Sequence, residues 1–212
     1  MKLVVNGCSN TACMIEGKLY PEFSWANFLS IKTNIVLENL AVRGSSLERI
    51  LRTTIEYFSE NNNFKGLYIV GIPGGVVRWE VLKNNKWYPN GNNYISTKNL
   101  WLKNISKAMF EQDSDYWIIK DFIYLISLQN YLKNKKISYL FFNSGPAVMK
   151  DLKFKLYQKE LDISKYIGNP YEKNDSMIGY LENKKYKQDK MGLFYKEGQY
   201  EWANYLFRNI KI

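Results

Sequence analysis

The sequence contains no histidine. Histidine is the side chain whose ordinary pKa lies nearest neutral pH, and it is the commonest general base and metal-binding imidazole in enzymes. Its absence removes every catalytic triad that depends on an imidazole. Cysteine is scarce as well, with only Cys8 and Cys13. Their spacing is not the C-x-x-C of redox or zinc motifs, so no metal site is expected, and both read as reduced thiols packed near a turn. No apolar run approaches the roughly 20 residues of a membrane span, so a membrane partner is not expected. The start, Met1-Lys2-Leu3-Val4-Val5, meets Asn6-Gly7 too soon for the apolar core of a signal peptide, and synthesis in the cytoplasm is expected. There is no repeat and no Pro/Gly/Ser-rich linker. A single domain over residues 1–212 is expected, with a long loop or small hairpin inserted around residues 73–97. Nothing in the pattern calls for a cofactor.

What is present is a globular composition. Of the 212 residues, 46% are hydrophobic and 16% aromatic, enough for a substantial core. The formal net charge is +10 and the pI about 9.3, which permits an acidic partner such as nucleic acid or a polyanionic glycan. The densest basic stretch is Lys184-Lys185-Tyr186-Lys187-Gln188-Asp189-Lys190. Elsewhere the lysines are dispersed, which argues against a dedicated nucleic-acid surface.

The chain is organised around its first ten residues. Leu3-Val4-Val5 is a short apolar strand that runs through Asn6-Gly7 into Cys8-Ser9, so Ser9 is presented at the strand's C-terminal end. In open α/β sheets that end is where ligands bind, and a serine there is a candidate nucleophile if a base reaches it. Residues 21–29 carry apolar residues at helical spacing behind Pro21. Residues 35–40 form a second strand, ending in a loop with Gly44 and the helix-capping serines Ser45 and Ser46. A helix is predicted over residues 47–59, with Leu47, Ile50, Leu51, Thr54, Ile55 and Phe58 on one face. Residues 67–72 are continuously apolar, as in a central parallel strand. After the tryptophan- and asparagine-rich stretch to residue 97, helices are predicted over residues 98–111 and 115–134. A fourth strand covers residues 137–142. Residues 147–183 read as irregular, with one short helix near residues 162–167. The last helix starts near Gly198 and is expected to bury Trp202, Ala203, Leu206, Phe207 and Ile210. Alternating strands and helices argue for a parallel sheet covered on both faces.

Four short motifs then occur in order. They are Gly7-Cys8-Ser9-Asn10-Thr11, Asn39 to Ser46 with Ile50 and Arg52 behind it, Val70 to Glu80 ending in Arg78-Trp79-Glu80, and Gly198-Gln199-Tyr200-Glu201-Trp202-Ala203. This series resembles the SGNH/GDSL hydrolases, in particular the bacteriophage and bacterial branch whose first motif reads G-C-S. The resemblance implies a three-layer α/β/α flavodoxin-like fold with a central parallel sheet of about five strands. It implies a serine nucleophile at Ser9. It places oxyanion-hole N–H groups at Ser9 and Gly44. The third donor falls on Pro73-Gly74-Gly75, where only a backbone N–H such as that of Gly74 is on offer. The catalytic aspartate aligns with Asp189. The catalytic histidine aligns near Met191 or Leu193, and a second histidine of the motif is replaced by Gln199.

A serine hydroxyl is a poor nucleophile without a positioned base, and losing a triad member typically costs about 10⁴ to 10⁶ in turnover. Asp189, Glu80, Glu197 and Lys190 stand in for the histidine only if the fold brings them to Ser9. With base and third side-chain donor both missing, the expected function is a catalytically inactive hydrolase-like protein. It would serve as a structural or binding component, of a phage virion or tail, with other protein subunits or a glycan as partner. The alternatives are an esterase or deacetylase of acylated surface glycans working through Ser9, and a basic nucleic-acid-associated protein. Arg78 and Glu80 share one face of an extended segment and read as an ion-pair lock as readily as a ligand site. Trp79, Trp87, Tyr88, Tyr94 and Trp101 cluster in the same region and would suit a partner protein or glycan if exposed.

Overall fold

The structure, a computed structural model, describes residues 1–74, 78–90, 99–145 and 152–210. In chain order the strands are β1 (Lys2–Asn6), β2 (Met14–Ile15), β3 (Lys18–Leu19), β4 (Val36–Asn39), β5 (Gly66–Ile72), β6 (Trp79–Lys83), β7 (Lys86–Asn90) and β8 (Ser138–Asn143). The helices are α1 (Ser9–Ala12), α2 (Trp25–Thr33), α3 (Leu47–Glu60), α4 (Leu100–Phe110), α5 (Ser114–Asn134), α6 (Lys155–Lys159), α7 (Met177–Asn183) and α8 (Lys196–Asn209).

Four strands form the central sheet in the order β4-β1-β5-β8, every neighbouring pair parallel. Leu3 lies opposite both Leu37 and Leu67, and Ile69 lies opposite Leu140. Successive side chains of a strand point to opposite faces, so a strand buried on both faces must be apolar throughout. That is why Leu3-Val4-Val5 and Tyr68-Ile69-Val70 contain no polar break. Val4, Tyr68, Val70 and Phe141 face a layer built by α3 and α5, with Ile50, Phe58, Phe122, Leu125 and Leu128 buried there. Leu3, Val5, Ile69 and Phe142 face the opposite layer of α2, α7 and α8, packed by Trp25, Leu29, Met177, Leu181, Trp202 and Leu206. This is the expected three-layer α/β/α arrangement.

Several expectations are corrected. Among the described residues the sheet has four strands, one fewer than the expected count of about five. Outside β8 the next segment contributes a single parallel bridge, Phe141 to Tyr166, with Ile167 N–H donating to the Phe141 carbonyl at 2.8 Å. Gly168, in the left-handed region at φ +80°, turns the chain away before a strand can form. Pro21 opens a 3-10 turn, Pro21–Phe23, and the helix proper begins after Ser24, whose Oγ accepts the Asn27 N–H at 3.1 Å. Ser46 caps α3 in the same way through the Arg49 N–H. The short helix expected near residues 162–167 is a 3-10 turn at Ile163–Lys165, while α7 follows from a stretch expected to be irregular. Phe207 is 46% exposed and is not on the buried side of α8. The inserted segment contains the hairpin β6–β7, whose turn residues Asn84 and Asn85 both take positive φ. Cys8 and Cys13 are buried free thiols. Burial, with Glu22 adding to it, pushes the Cys13 thiol up to about 12.

Gly71 sits where β5 passes α1 and the end of β8. A Cβ there would lie 2.6 Å from Thr11 Oγ1 and 2.8 Å from Ser144 Oγ. Gly71→Ala is therefore expected to cost about 1–3 kcal/mol through overpacking. Urea unfolding of the two proteins measures it, and an unchanged midpoint would contradict this close approach.

Candidate active site

Because β4, β1 and β5 are parallel neighbours about 5 Å apart, the loops leaving their C-terminal ends gather at one edge of the sheet. From the end of β1, the chain turns through Gly7 and Cys8, and Ser9 is the first residue of α1. Asn6 fixes this turn. Its side-chain oxygen accepts the Gly7 N–H at 2.8 Å, and its amide donates to Thr53 Oγ1 at 2.9 Å. A side chain at Gly7 would run into Thr11 Oγ1 and lie 2.9 Å from the Gly71 carbonyl oxygen, so only glycine fits. At the end of β4, the Asn39 amide donates to the Thr11 carbonyl at 3.2 Å, which ties this loop to α1. Gly44 follows at φ +74°, and the Ser45 hydroxyl closes the turn on the Val42 carbonyl at 2.7 Å. At the end of β5, Gly74 packs against Gly145 so tightly that a Cβ on either would come within 2.6 Å of the other's Cα.

Among the described residues, the backbone N–H groups of Ser9, Gly44 and Gly74 have no acceptor, and Ser9 Oγ makes no hydrogen bond. Ser9 itself is half-buried. Amide donors and a hydroxyl without partners are the kind of groups from which oxyanion-stabilising sites are built. Gly75, Tyr94 and the remainder of residues 75–77 and 91–98 lie outside the described residues.

The base is a different matter. Asp189 is 8% exposed, and its carboxylate accepts three backbone N–H groups. Glu16 donates to Oδ2 at 2.7 Å, Met191 to Oδ1 at 2.8 Å and Leu193 to Oδ1 at 3.0 Å. Burial alone would raise its pKa, but these three donors outweigh it and hold the carboxyl below its usual range. Asp189 therefore organises a loop, closed by the Gln188–Phe194 bridge and turned at Gly192 with φ +75°. Met191, where the resemblance places the histidine, is exposed, and Leu193 is buried in the loop. Glu80 is not a base either. Arg52 holds it in a two-pronged pair at 2.9 and 3.0 Å, and Arg49 lies 3.8 Å away. Lys190 and Glu197 are exposed and neither hydrogen-bonds to Ser9.

The third motif is a lock between the β6–β7 hairpin and α3. Arg78 Nη1 donates to the Ser45 carbonyl at 3.2 Å, and its own carbonyl accepts Lys120 Nζ at 3.0 Å. Trp79 is fully buried and offers no ring to a ligand. Arg52 stacks over Trp87 at 4.3 Å, and Lys83 over Trp101 at 4.0 Å. The expected binding trio of Arg78, Trp79 and Glu80 is thus occupied internally.

The bonding role of Gln199 and the environment of Asp121 escaped the sequence reading. Gln199 is 1% exposed; its amide donates to the Asn10 carbonyl at 3.3 Å and its oxygen accepts the Trp25 N–H at 3.1 Å. It joins α8 to the residue after Ser9. Asp121 on α5 faces Lys120, Arg78 and Glu48, and burial pushes its carboxyl up to about 7 against the pull of the two cations. A lone aspartate within a long helix carries no sequence signal of such burial.

No protein-family model matches this chain, and no curated protein matches it. Solved structures do. The esterase EstA from Pseudoalteromonas sp. aligns over 98% of this chain and 95% of its own, with a TM-score of 0.60 and 11% identity. The acetyl xylan esterase AlAXEase aligns over 100% of both chains, with a TM-score of 0.57 and 12% identity. A protein described as lipolytic and of the G-D-S-L family, from Desulfitobacterium hafniense, aligns over 99% of both, with a TM-score of 0.55 and 11% identity. The chain has the α/β/α fold of these esterases.

Asp189 carries a pH signature. Its depressed pKa contributes stability that is complete above the ordinary carboxylate pKa and is lost as pH falls through the lower folded value. Asp189→Asn is expected to cost about 2–3 kcal/mol at pH 7 and progressively less towards roughly pH 3. Thermal melts across that range check it. A penalty that did not change with pH would exclude an ionised acceptor.

Proposed function

We propose that this chain is a catalytically silent domain of the G-D-S-L esterase fold that acts as a binding or structural component. The observation that carries this reading is the state of Asp189. In a chain without histidine, the carboxylate at the triad position is spent on three backbone N–H groups. Among the described residues no group hydrogen-bonds to Ser9 Oγ, and an unassisted serine hydroxyl is a poor nucleophile at neutral pH. The chain acts as one domain and recognises a partner, either other protein subunits or a glycan. The G-C-S form of the first motif favours a phage virion or tail as its setting, after synthesis in the cytoplasm.

A second reading has a specific observation in its favour. The unpaired N–H groups of Ser9, Gly44 and Gly74 are what an esterase or deacetylase needs to stabilise an oxyanion, and the neighbours of the same fold include an acetyl xylan esterase. On that reading a surface-glycan acyl ester is cleaved at Ser9 with an unusual base.

Hydrolysis of a panel of p-nitrophenyl acyl esters and acetylated xylo-oligosaccharides separates the two. Equal background rates for the wild type and Ser9→Ala are expected. Turnover that disappears in Ser9→Ala would establish the esterase instead.

A further inference from the structure

Beside the Asp189 loop lies an open cleft of about 910 Å³ that shares no lining residue with the Ser9 site. We propose that this cleft binds a short, sparsely anionic oligosaccharide. The inference deepens the binding reading above and rests on it.

The cleft is built where three parts of the chain meet: the β2–β3 hairpin with the turn after it, the basic stretch before Asp189, and the start of α8. Its walls carry four aromatic rings, Tyr20, Phe23, Tyr186 and Tyr195, all half-buried and so partly open to solvent. Tyr20 and Phe23 are stacked on one another, with centroids 5.7 Å apart and planes 10° from parallel, so each ring covers one face of the other. The half-buried rings of Tyr20, Tyr186 and Tyr195 offer the flat apolar surface that matches the C–H face of a pyranose ring. Tyrosine adds a hydroxyl at the rim for the sugar's own hydroxyls.

Charge narrows the ligand. Lys185, Lys187 and Lys196 line the cleft, and Lys196 Nζ already sits 5.1 Å over the Phe23 ring. Glu16 and Glu197 line it too, and Glu16 Oε1 accepts the Tyr195 hydroxyl at 3.1 Å. A site for a phosphodiester backbone would be uniformly basic, because each carboxylate repels a phosphate. Lysines interleaved with carboxylates instead supply both donors and acceptors to hydroxyl groups. The small excess of lysine accommodates an occasional carboxylate on the sugar chain. A volume of this size suits a ligand of a few rings.

Hydrogen bonds tie the cleft to the Ser9 edge of the sheet. The Glu16 N–H is one of the three donors to Asp189, and Gly198 in the cleft wall precedes Gln199, which bonds the Asn10 carbonyl. A saccharide held here would lie alongside the Ser9 loop without needing Ser9.

The test is isothermal titration of the full chain with an acidic xylo-oligosaccharide that carries a single glucuronate, with neutral xylo-oligosaccharide and with a single-stranded DNA 20-mer. The acidic xylo-oligosaccharide is expected to bind. The affinity is expected to fall roughly tenfold in Tyr186→Ala, a change of about 1.4 kcal/mol. Lys185→Gln with Lys187→Gln, both at exposed positions and neutral for folding, is expected to weaken it and to flatten the difference between the acidic and neutral sugars. Ser9→Ala is expected to leave binding intact. Absence of saccharide binding would overturn the proposal, as would tighter binding of the DNA. Binding that is lost in Ser9→Ala but kept in both cleft variants would move the site to Ser9, ending this proposal while leaving the binding reading in place. Ser9-dependent ester turnover would end that reading separately.

Discussion

A buried carboxylate holding three backbone amides is the constraint on which the packing of α8 beside the Ser9 turn rests. Asp189 joins the β2–β3 turn, through Glu16, to the loop that leads into α8. Gln199 then joins α8 back to the residue after Ser9 and to the first turn of α2. These two side chains set how α8 approaches α1. An ionised acceptor with several amide donors is stronger than a neutral one, and its lowered pKa follows from the same bonds. The features that make Asp189 a good organiser make it a poor proton acceptor.

Backbone and side chains tell different stories at the site. The main chain brings parallel strand ends side by side, turns at Gly7 and Gly44, and, among the described residues, leaves the amide donors of Ser9, Gly44 and Gly74 without acceptors. These follow from the fold and need only small residues where the loops crowd. What is missing is side-chain chemistry. The likeness to the solved esterases is a likeness of architecture. The lock formed by Glu80, Arg52, Arg49 and Arg78 fits the same picture, since its charges are spent on fixing the hairpin to α3.

Much of this was legible in the residues. Fully apolar runs marked β1, β5 and β8, because strands buried on both faces cannot carry polar residues. Serines before apolar periodicity marked the start of α3, whereas the start of α2 was placed at Pro21, ahead of its Ser24 cap. The serine-bearing turn at Ser9 and the loop at Gly44 were placed at the correct edge. Other elements left weaker traces. Helix α7 buries only Met177 and Leu181 as large apolar side chains, too few to show a period. The β2–β3 hairpin turns on Glu16 and Gly17, both at positive φ, and its strands are two residues each. The exposure of Phe207 and the burial of Asp121 depend on which neighbours pack against each helix, which local sequence does not specify. Trp79 was grouped with surface aromatics because its burial is created by the hairpin folding back on α3.

The most direct measurement is labelling with a fluorophosphonate probe, read by intact-mass and peptide mass spectrometry on folded wild type and Ser9→Ala. Such a probe reports whether a serine hydroxyl is activated, whatever the natural substrate. The expected result is no adduct on either protein. An adduct on Ser9 of the wild type alone would contradict the account, because it would show that some group does take the Ser9 proton.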